Sequence, residues 1–360
     1  MPRSGGGRMS LLEEIALRNS IPLALAAALV ASAPPAAAKE PEPFVPVYKV
    51  NFPDPFVLPH EGRFLAYATN AERDQANVQM AVSEDLVNWA PLTEGGKLHD
   101  AMPVLPVWAT RGWTWAPEVL KLDDRYLLFF TAREKASGRQ CTGVATSTDP
   151  LGPFTSDATE PLICQRDLGG TIDASPFRDA DGKLYLYYKA DANAVGKPTD
   201  IFVQPMTADG LGLTGEPVTL LTNDKPWQAH VIESPTMVRR GDDYVMFYSA
   251  NHFGWEPHQR LSPYAMGYAI CTGPMGPCKD APENPILYSY ADRKAGCLSG
   301  PGHQAVFEVA GRQFIMFHAH IARGGCQNAK KGRQMYIAPL GWDGARPVIG
   351  NSLRPAETGK

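Results

Sequence analysis

One short pattern occurs five times along this chain and limits the fold more than any other feature. Each copy is a turn followed by a strand-length run crowded with aromatic and aliphatic residues. The copies are Arg63-Phe64-Leu65-Ala66-Tyr67, Arg125-Tyr126-Leu127-Leu128-Phe129, Lys183-Leu184-Tyr185-Leu186-Tyr187, Asp243-Tyr244-Val245-Met246-Phe247 and Gln313-Phe314-Ile315-Met316-Phe317. With Phe64, Tyr126, Leu184, Tyr244 and Phe314 taken as equivalent, the steps are 62, 58, 60 and 70 residues. Turn residues precede each copy: Glu61-Gly62, Asp123-Asp124, Asp181-Gly182, Gly241-Asp242 and Ala310-Gly311. A repeat of about 60 residues without a long amphipathic helical pattern has room for four strands and their turns, which is one propeller blade. The predicted fold is therefore all-β, a five-bladed β-propeller with four-stranded antiparallel blades around a central channel. A pair of β-sandwiches would leave the five similar units unexplained.

The chain has 360 residues, 44% of them hydrophobic, enough for a substantial core. Its formal net charge of -4 gives no basic field, which argues against nucleic acid as a partner and for a neutral substrate. The N-terminus carries Arg3, Arg8 and Arg18, an apolar run from Ile21 to Ala33, then Ala36-Ala37-Ala38. That order predicts a signal peptide over residues 1–38, a run too short to span a bilayer, and a mature domain over 39–360 that is secreted or periplasmic. All six cysteines follow that segment, as a disulfide set in an exported protein would. Six cysteines allow 15 pairings; the sequence-local choice is Cys141 with Cys164, Cys271 with Cys278 and Cys297 with Cys326.

The strand upstream of each turn is the innermost one if the repeats are blades, so its first residues converge at one mouth of the channel. Counting back 10, 8, 11, 11 and 11 residues from the reference positions reaches Asp54, Glu118, Asp173, Glu233 and His303. Taken singly, each has an ordinary explanation: Asp54 before Pro55 can start a turn, and Glu233 can be a surface residue. As a set at one funnel they point to function, because carboxylates crowded together and partly desolvated raise each other's pKa and are costly to keep. The chemistry that suits them is glycosidic hydrolysis, in which one protonated carboxyl serves the leaving oxygen and one ionised carboxylate activates water. Carboxylates on different blades suit the ~6.5–9.5 Å inverting separation better than the ~5 Å that a nucleophile needs.

With these residues in place, the chain resembles glycoside hydrolase family 43, five-bladed propeller enzymes acting on arabinose- and xylose-containing polysaccharides. The resemblance runs from Asn51-Phe52-Pro53-Asp54-Pro55 through Trp115-Ala116-Pro117-Glu118, Ile172-Asp173-Ala174-Ser175-Pro176, Ile232-Glu233-Ser234-Pro235 and Gly300-Pro301-Gly302-His303 to Arg333 and Trp342-Asp343-Gly344. It implies Asp54 as general base, Glu233 as general acid, and Asp173 as a third carboxylate that orients the acid and raises its pKa. It implies Glu118 and Arg333 as substrate contacts. His303 would contact both substrate and a possible structural calcium ion in the channel, held largely through water, with no cofactor needed for the chemistry. Ala174 departs from the proline that relatives often carry after the aspartate. Related retaining propeller enzymes acting on fructosides show Arg-Asp-Pro and Glu-Cys where this chain has Ile172-Asp173-Ala174 and Glu233-Ser234, which sets that activity aside.

Among Trp113, Trp115, Trp227 and Phe253, Trp115 is the residue expected to stack on a sugar. The 16 residues after Gly344 leave no room for the closing sandwich domain of many β-xylosidase relatives. The expectation is thus a monomeric, inverting, exo-acting α-L-arabinofuranosidase on arabinan or arabinoxylan. Alternatives are β-xylosidase, endo-α-1,5-arabinanase or exo-β-1,3-galactanase and, in another class, a non-catalytic sugar-binding propeller.

Overall fold

The computed structural model describes residues 43–354, apart from 72–74, 256–257, 293–295 and 324–325; the expected signal peptide lies outside the described residues. Five antiparallel sheets follow one another along the chain, each a meander in which sequence neighbours pair. Blade I holds Phe56–His60, Arg63–Ala68, Gln79–Ser83 and Ala90–Pro91, and blade II holds Ala109–Leu122, Arg125–Glu134 and Gln140–Ser147. Blade III holds Thr171–Arg178, Leu184–Ala190, Asp200–Pro205 and Val218–Thr222, and blade IV holds Ile232–Arg240, Asp243–Ala250, Ala265–Cys271 and Cys278–Asp280. Blade V holds Gly302–Val309, Arg312–Arg323, Gln327–Asp343 and Arg346–Ile349. Blade II departs from the expected four strands: two isolated antiparallel bridges, Thr146 to Thr155 and Thr142 to Ile163, stand where its fourth strand would be.

The aromatic repeat is the second strand of each blade, and its composition follows from being buried on both faces. Successive strand residues point to opposite sides. In blade II, Tyr126, Leu128 and Phe130 enter the core shared with Leu65, Tyr67 and Met80 of blade I, while Leu127 and Phe129 enter the one shared with Leu186 and Tyr188 of blade III. The same division places Tyr185 and Tyr187 against Met246 and Tyr248, Val245 and Phe247 against Ile315 and Phe317, and Phe314 and Met316 against Ala66 and Ala68. Five cores thus sit between five pairs of blades. A strand with a core on either side reads as a continuous apolar run rather than an alternating one. Each large side chain buried this way contributes about 1.5–3 kcal/mol, and Phe129→Ala would remove about 3–5 kcal/mol.

The ring is tied shut where the chain ends meet. The Val47 N–H donates to the Met335 carbonyl (2.9 Å), Phe52 N–H to that of Arg333 (2.8 Å) and Leu353 N–H to that of Ile337 (2.7 Å), so both terminal segments flank the third strand of blade V. The three disulfides are Cys141–Cys164, Cys271–Cys278 and Cys297–Cys326, the sequence-local pairing.

Candidate active site

Every blade presents a non-glycine residue with positive φ near the start of its inner strand: Asp54 (55°), Ala116 (46°), Asp173 (57°), Ser234 (53°) and His303 (52°). In blades II to V this residue opens a β-bulge, seen as register breaks between Trp115 and Glu118, Ile172 and Ser175, Glu233 and Thr236, and Gly302 and Ala305. A bulge turns the side chain and releases a backbone N–H from the ladder. Each freed N–H is taken up by the preceding blade in the ring. Ala116 donates to Thr69 Oγ1 (3.0 Å), Asp173 to Thr131 Oγ1 (3.3 Å), His303 to Ser249 Oγ (2.8 Å) and Asp54 to His318 Nδ1 (3.1 Å). Blade III breaks the pattern because its residue at that place is Lys189, which has no acceptor; the Ser234 N–H donates instead to Asp173 Oδ2 (3.1 Å).

This geometry corrects the positional equivalence read from the sequence. The bulge positions are Asp54, Ala116, Asp173, Ser234 and His303, so Glu233 lies one residue before its bulge and Glu118 two residues beyond. The bulge inserts a residue that turn-to-turn counting cannot register. Glu233 still reaches the mouth, but Glu118 is absent from the pocket lining and accepts a bond from Ser175 Oγ (2.9 Å) instead. Burial, with the Asp173 charge adding to it, pushes the Glu118 carboxyl up to about 8, so it stays protonated at neutral pH.

Around Asp54 stand a guanidinium, a hydroxyl and two imidazoles. Arg333 Nη1 lies 2.8 Å from Asp54 Oδ1, His318 Nδ1 3.2 Å and His303 Nδ1 3.4 Å, while the Thr69 hydroxyl donates to Oδ2. Burial alone would raise this carboxyl, but Arg333, His303 and His318 together outweigh it and hold Asp54 well below the usual carboxylate range. His318 is buried and pushed down to about 3, hence neutral, so its Nδ1 is free to accept the Asp54 N–H.

Glu233 faces a buried cation that it shares with Asp191. Lys189 Nζ, 1% exposed, lies 2.9 Å from Glu233 Oε2 and 3.3 Å from Asp191 Oδ1. The Tyr264 hydroxyl donates to Glu233 Oε1 (2.6 Å), and Gly302 makes room for that ring: a Cβ there would come within 2.2 Å of Tyr264 Cε1. Burial favours neutral Glu233, yet Lys189 and Tyr264 more than offset it and pull the carboxyl below its usual range. Asp173 is lifted to about 6, chiefly by burial and further by the Glu233 charge, against the pull of His303 and Lys189. Asp173 is thus the member of the pair that is raised, while Glu233, the acid that the resemblance implies, is drawn down. The physical reason is Lys189, which sequence reading passed over.

Asp54, Trp115, Asp173, Glu233, His303 and Arg333 all line one pocket of about 360 Å³. It also takes in Thr69, Lys189, Asp191, Asn193, Tyr264 and Phe253. Phe253, half exposed, lies under the Arg333 guanidinium (5.5 Å), and its carbonyl is bonded by His320 Nε2. Thr69 and Lys189 stand at the far ends of second strands, which run back to the same mouth, five residues past Phe64 and Leu184; polar residues closing an aromatic run were the available signal. Asp191 and Asn193 follow on the loop after Lys189, while Tyr264 precedes a third strand with no comparable cue.

The donors at His303 do not suit a directly held calcium ion. Calcium takes six to eight oxygen ligands, whereas His303 offers imidazole nitrogen and its Nδ1 is bonded to Ser234 Oγ (2.7 Å). Among the described residues, three ligating groups converge only at Glu134, Cys141 and Cys164, and those cysteines form a disulfide.

A five-bladed ring with two unlike carboxylate sites in one pocket defines a propeller of the glycosidase class. The chain belongs to glycosyl hydrolases family 43, whose family model matches residues 45–345. It is similar to an arabinoxylan arabinofuranohydrolase of Paenibacillus polymyxa, 24% identical over 78% of this chain and 46% of that one. It is also similar to an extracellular endo-α-(1→5)-L-arabinanase 2 of Bacillus subtilis strain 168, 22% identical over 84% of this chain and 72% of that one. The chain thus spans about half the length of the arabinoxylan relative. A crystal structure of a thermostable family-43 glycoside hydrolase superposes with a TM-score of 0.74, 29% identity and coverage of 88% of this chain and 98% of that one.

Proposed function

We propose that this chain is an inverting exo-glycosidase that releases a terminal pentose, α-L-arabinofuranose, from arabinan- or arabinoxylan-type glycans outside the cytoplasm. One observation carries the reading: a single pocket holds Asp54 paired with Arg333 on one side and the unlike carboxyls Asp173, raised, and Glu233, lowered, on the other. Asp54 is the base that takes a proton from water. Glu233 is the acid that gives one to the leaving oxygen, and it takes that proton from Asp173, whose carboxyl is raised beside it. Because the two carboxyls belong to one titrating pair, the acid form of the site persists up to about pH 6. Blades I and IV are not neighbours in the ring, which supports the wider separation that inversion needs.

Substrate preference rests on the relatives' named activities and on a pocket of about 360 Å³, a volume on the scale of one or two sugar rings. Three disulfides and an extracellular relative support export. The test is a screen of aryl α-L-arabinofuranoside, β-D-xyloside and β-D-galactoside together with linear arabinan. The arabinofuranoside should be cleaved best, and Glu233→Gln should lower kcat about 10²-fold on a phenyl leaving group but far less on dinitrophenyl, which departs without a proton. Binding of these glycosides without any hydrolysis would overturn the enzyme reading in favour of a sugar-binding propeller.

A further inference from the structure

A second pocket of about 230 Å³ shares Trp115 and Asp191 with the first as a common wall and is completed by Trp113, Arg133, Arg139 and Gln140. Its floor is aromatic: the Trp113 and Trp115 rings lie 6.2 Å apart at 52°, surfaces on which the apolar face of a sugar can rest. Its rim is cationic. The Arg133 guanidinium stacks over Trp113 at 4.7 Å and uses only Nε, toward the Gly138 carbonyl (3.1 Å). That leaves both Arg133 Nη groups without a partner among the described residues. The half-buried Arg139 guanidinium makes no hydrogen bond or ion pair with any described residue. Gln140, 7% exposed, has its Oε1 buried with no partner. The one carboxylate in the lining, Asp191, is already paired with Lys189.

An aromatic platform beside two guanidinium groups with unused N–H donors is the chemistry that recognises a sugar carrying a carboxylate. A planar carboxylate matches the guanidinium fork bidentately, and its charge strengthens each bond. We infer that this pocket is a subsite for a uronic acid residue on the same glycan whose terminal pentose enters the first pocket. This rests on the glycosidase reading given above and refines it. The chain's weakly acidic overall balance suggested a neutral substrate, but net charge does not report a local pair of arginines facing a sugar platform.

The probe is xylotriose bearing one glucuronic acid, compared with its carboxyl-reduced counterpart, which has the same shape and no charge. Binding is measured by calorimetry on protein carrying Glu233→Gln, so that turnover does not intrude. The acidic probe should bind about tenfold tighter in 20 mM salt, and the gap should narrow in 500 mM salt. Arg139→Gln should abolish the gap and Arg139→Lys should restore part of it, with thermal midpoints showing that each variant is folded. Equal affinity for the two probes, a gap that survives Arg139→Gln, or no binding of either probe would overturn the inference. Hydrolysis of aryl α-L-arabinofuranoside by the wild-type chain is read separately. Its absence would sink the proposed activity while leaving the binding comparison to stand or fall alone.

Discussion

On the blade V and I side of the pocket, Asp54 is held by Arg333, Thr69 and two imidazoles, of which His303 also acts on Asp173 and Glu233. On the blade III and IV side, Glu233 and Asp191 both pair with one ammonium, Lys189, whose charge also acts on Asp173. The first arrangement holds one carboxyl low, and the second sets two apart, with Asp173 raised and Glu233 lowered. Carboxyls buried in the same pocket are therefore shifted in opposite directions by the charges beside them, not by a difference in depth. A general base and a general acid need that difference.

The comparison can be broken at its fixed end first. Asp54→Asn keeps the shape and the Thr69 contact but removes the charge that would take a proton from water, so kcat should fall about 10³-fold with KM little changed. A loss of tenfold or less in steady-state kinetics would mean that Asp54 does not act as the base.

At the mobile end, Lys189→Met tests two consequences together. Removing a buried cation leaves Glu233 and Asp191 uncompensated, and stability by chemical denaturation should drop by about 3–5 kcal/mol. Glu233 should then hold its proton to higher pH, because the group that pulls it down is gone. The basic limb of the kcat/KM profile should move upward in pH. A limb that stays in place would show that Glu233 is not the group titrating there.

Glu118 offers the smallest and cleanest check on burial as a cause. Its folded-state carboxyl is raised to about 8 from an ordinary 4.5, so its neutral form favours the fold below pH 4.5 and that contribution is lost as pH rises through 8. Glu118→Gln does not titrate. Its thermal midpoint relative to wild type should therefore climb by a few degrees between pH 5 and pH 9. A flat difference across that range would mean that the carboxyl is solvated.

The fold was legible because both faces of each second strand are buried, and five aromatic runs such as Leu184-Tyr185-Leu186-Tyr187-Tyr188 carry that fact in plain order. Asp54, Asp173 and Glu233 were legible because inner strands begin at one mouth. Lys189 was not, since one lysine at the close of an aromatic run looks like a strand leaving the core, and only the ring brings it against Glu233 of the next blade. Glu118 was assigned to the pocket because a bulge adds a residue that spacing from the turn does not reveal. Tyr264 belongs to the segment before a third strand, where no repeat exposes it; the matching gap left by Gly302 appears only in three dimensions.

In the proposed reaction, Asp54 activates water on one face of the sugar while Glu233, with Asp173 beside it, protonates the leaving oxygen on the other. Proton NMR of the first sugar formed from an aryl α-L-arabinofuranoside, recorded before mutarotation, reads this directly. The account predicts β-L-arabinofuranose as the initial product; α-L-arabinofuranose appearing first would contradict it.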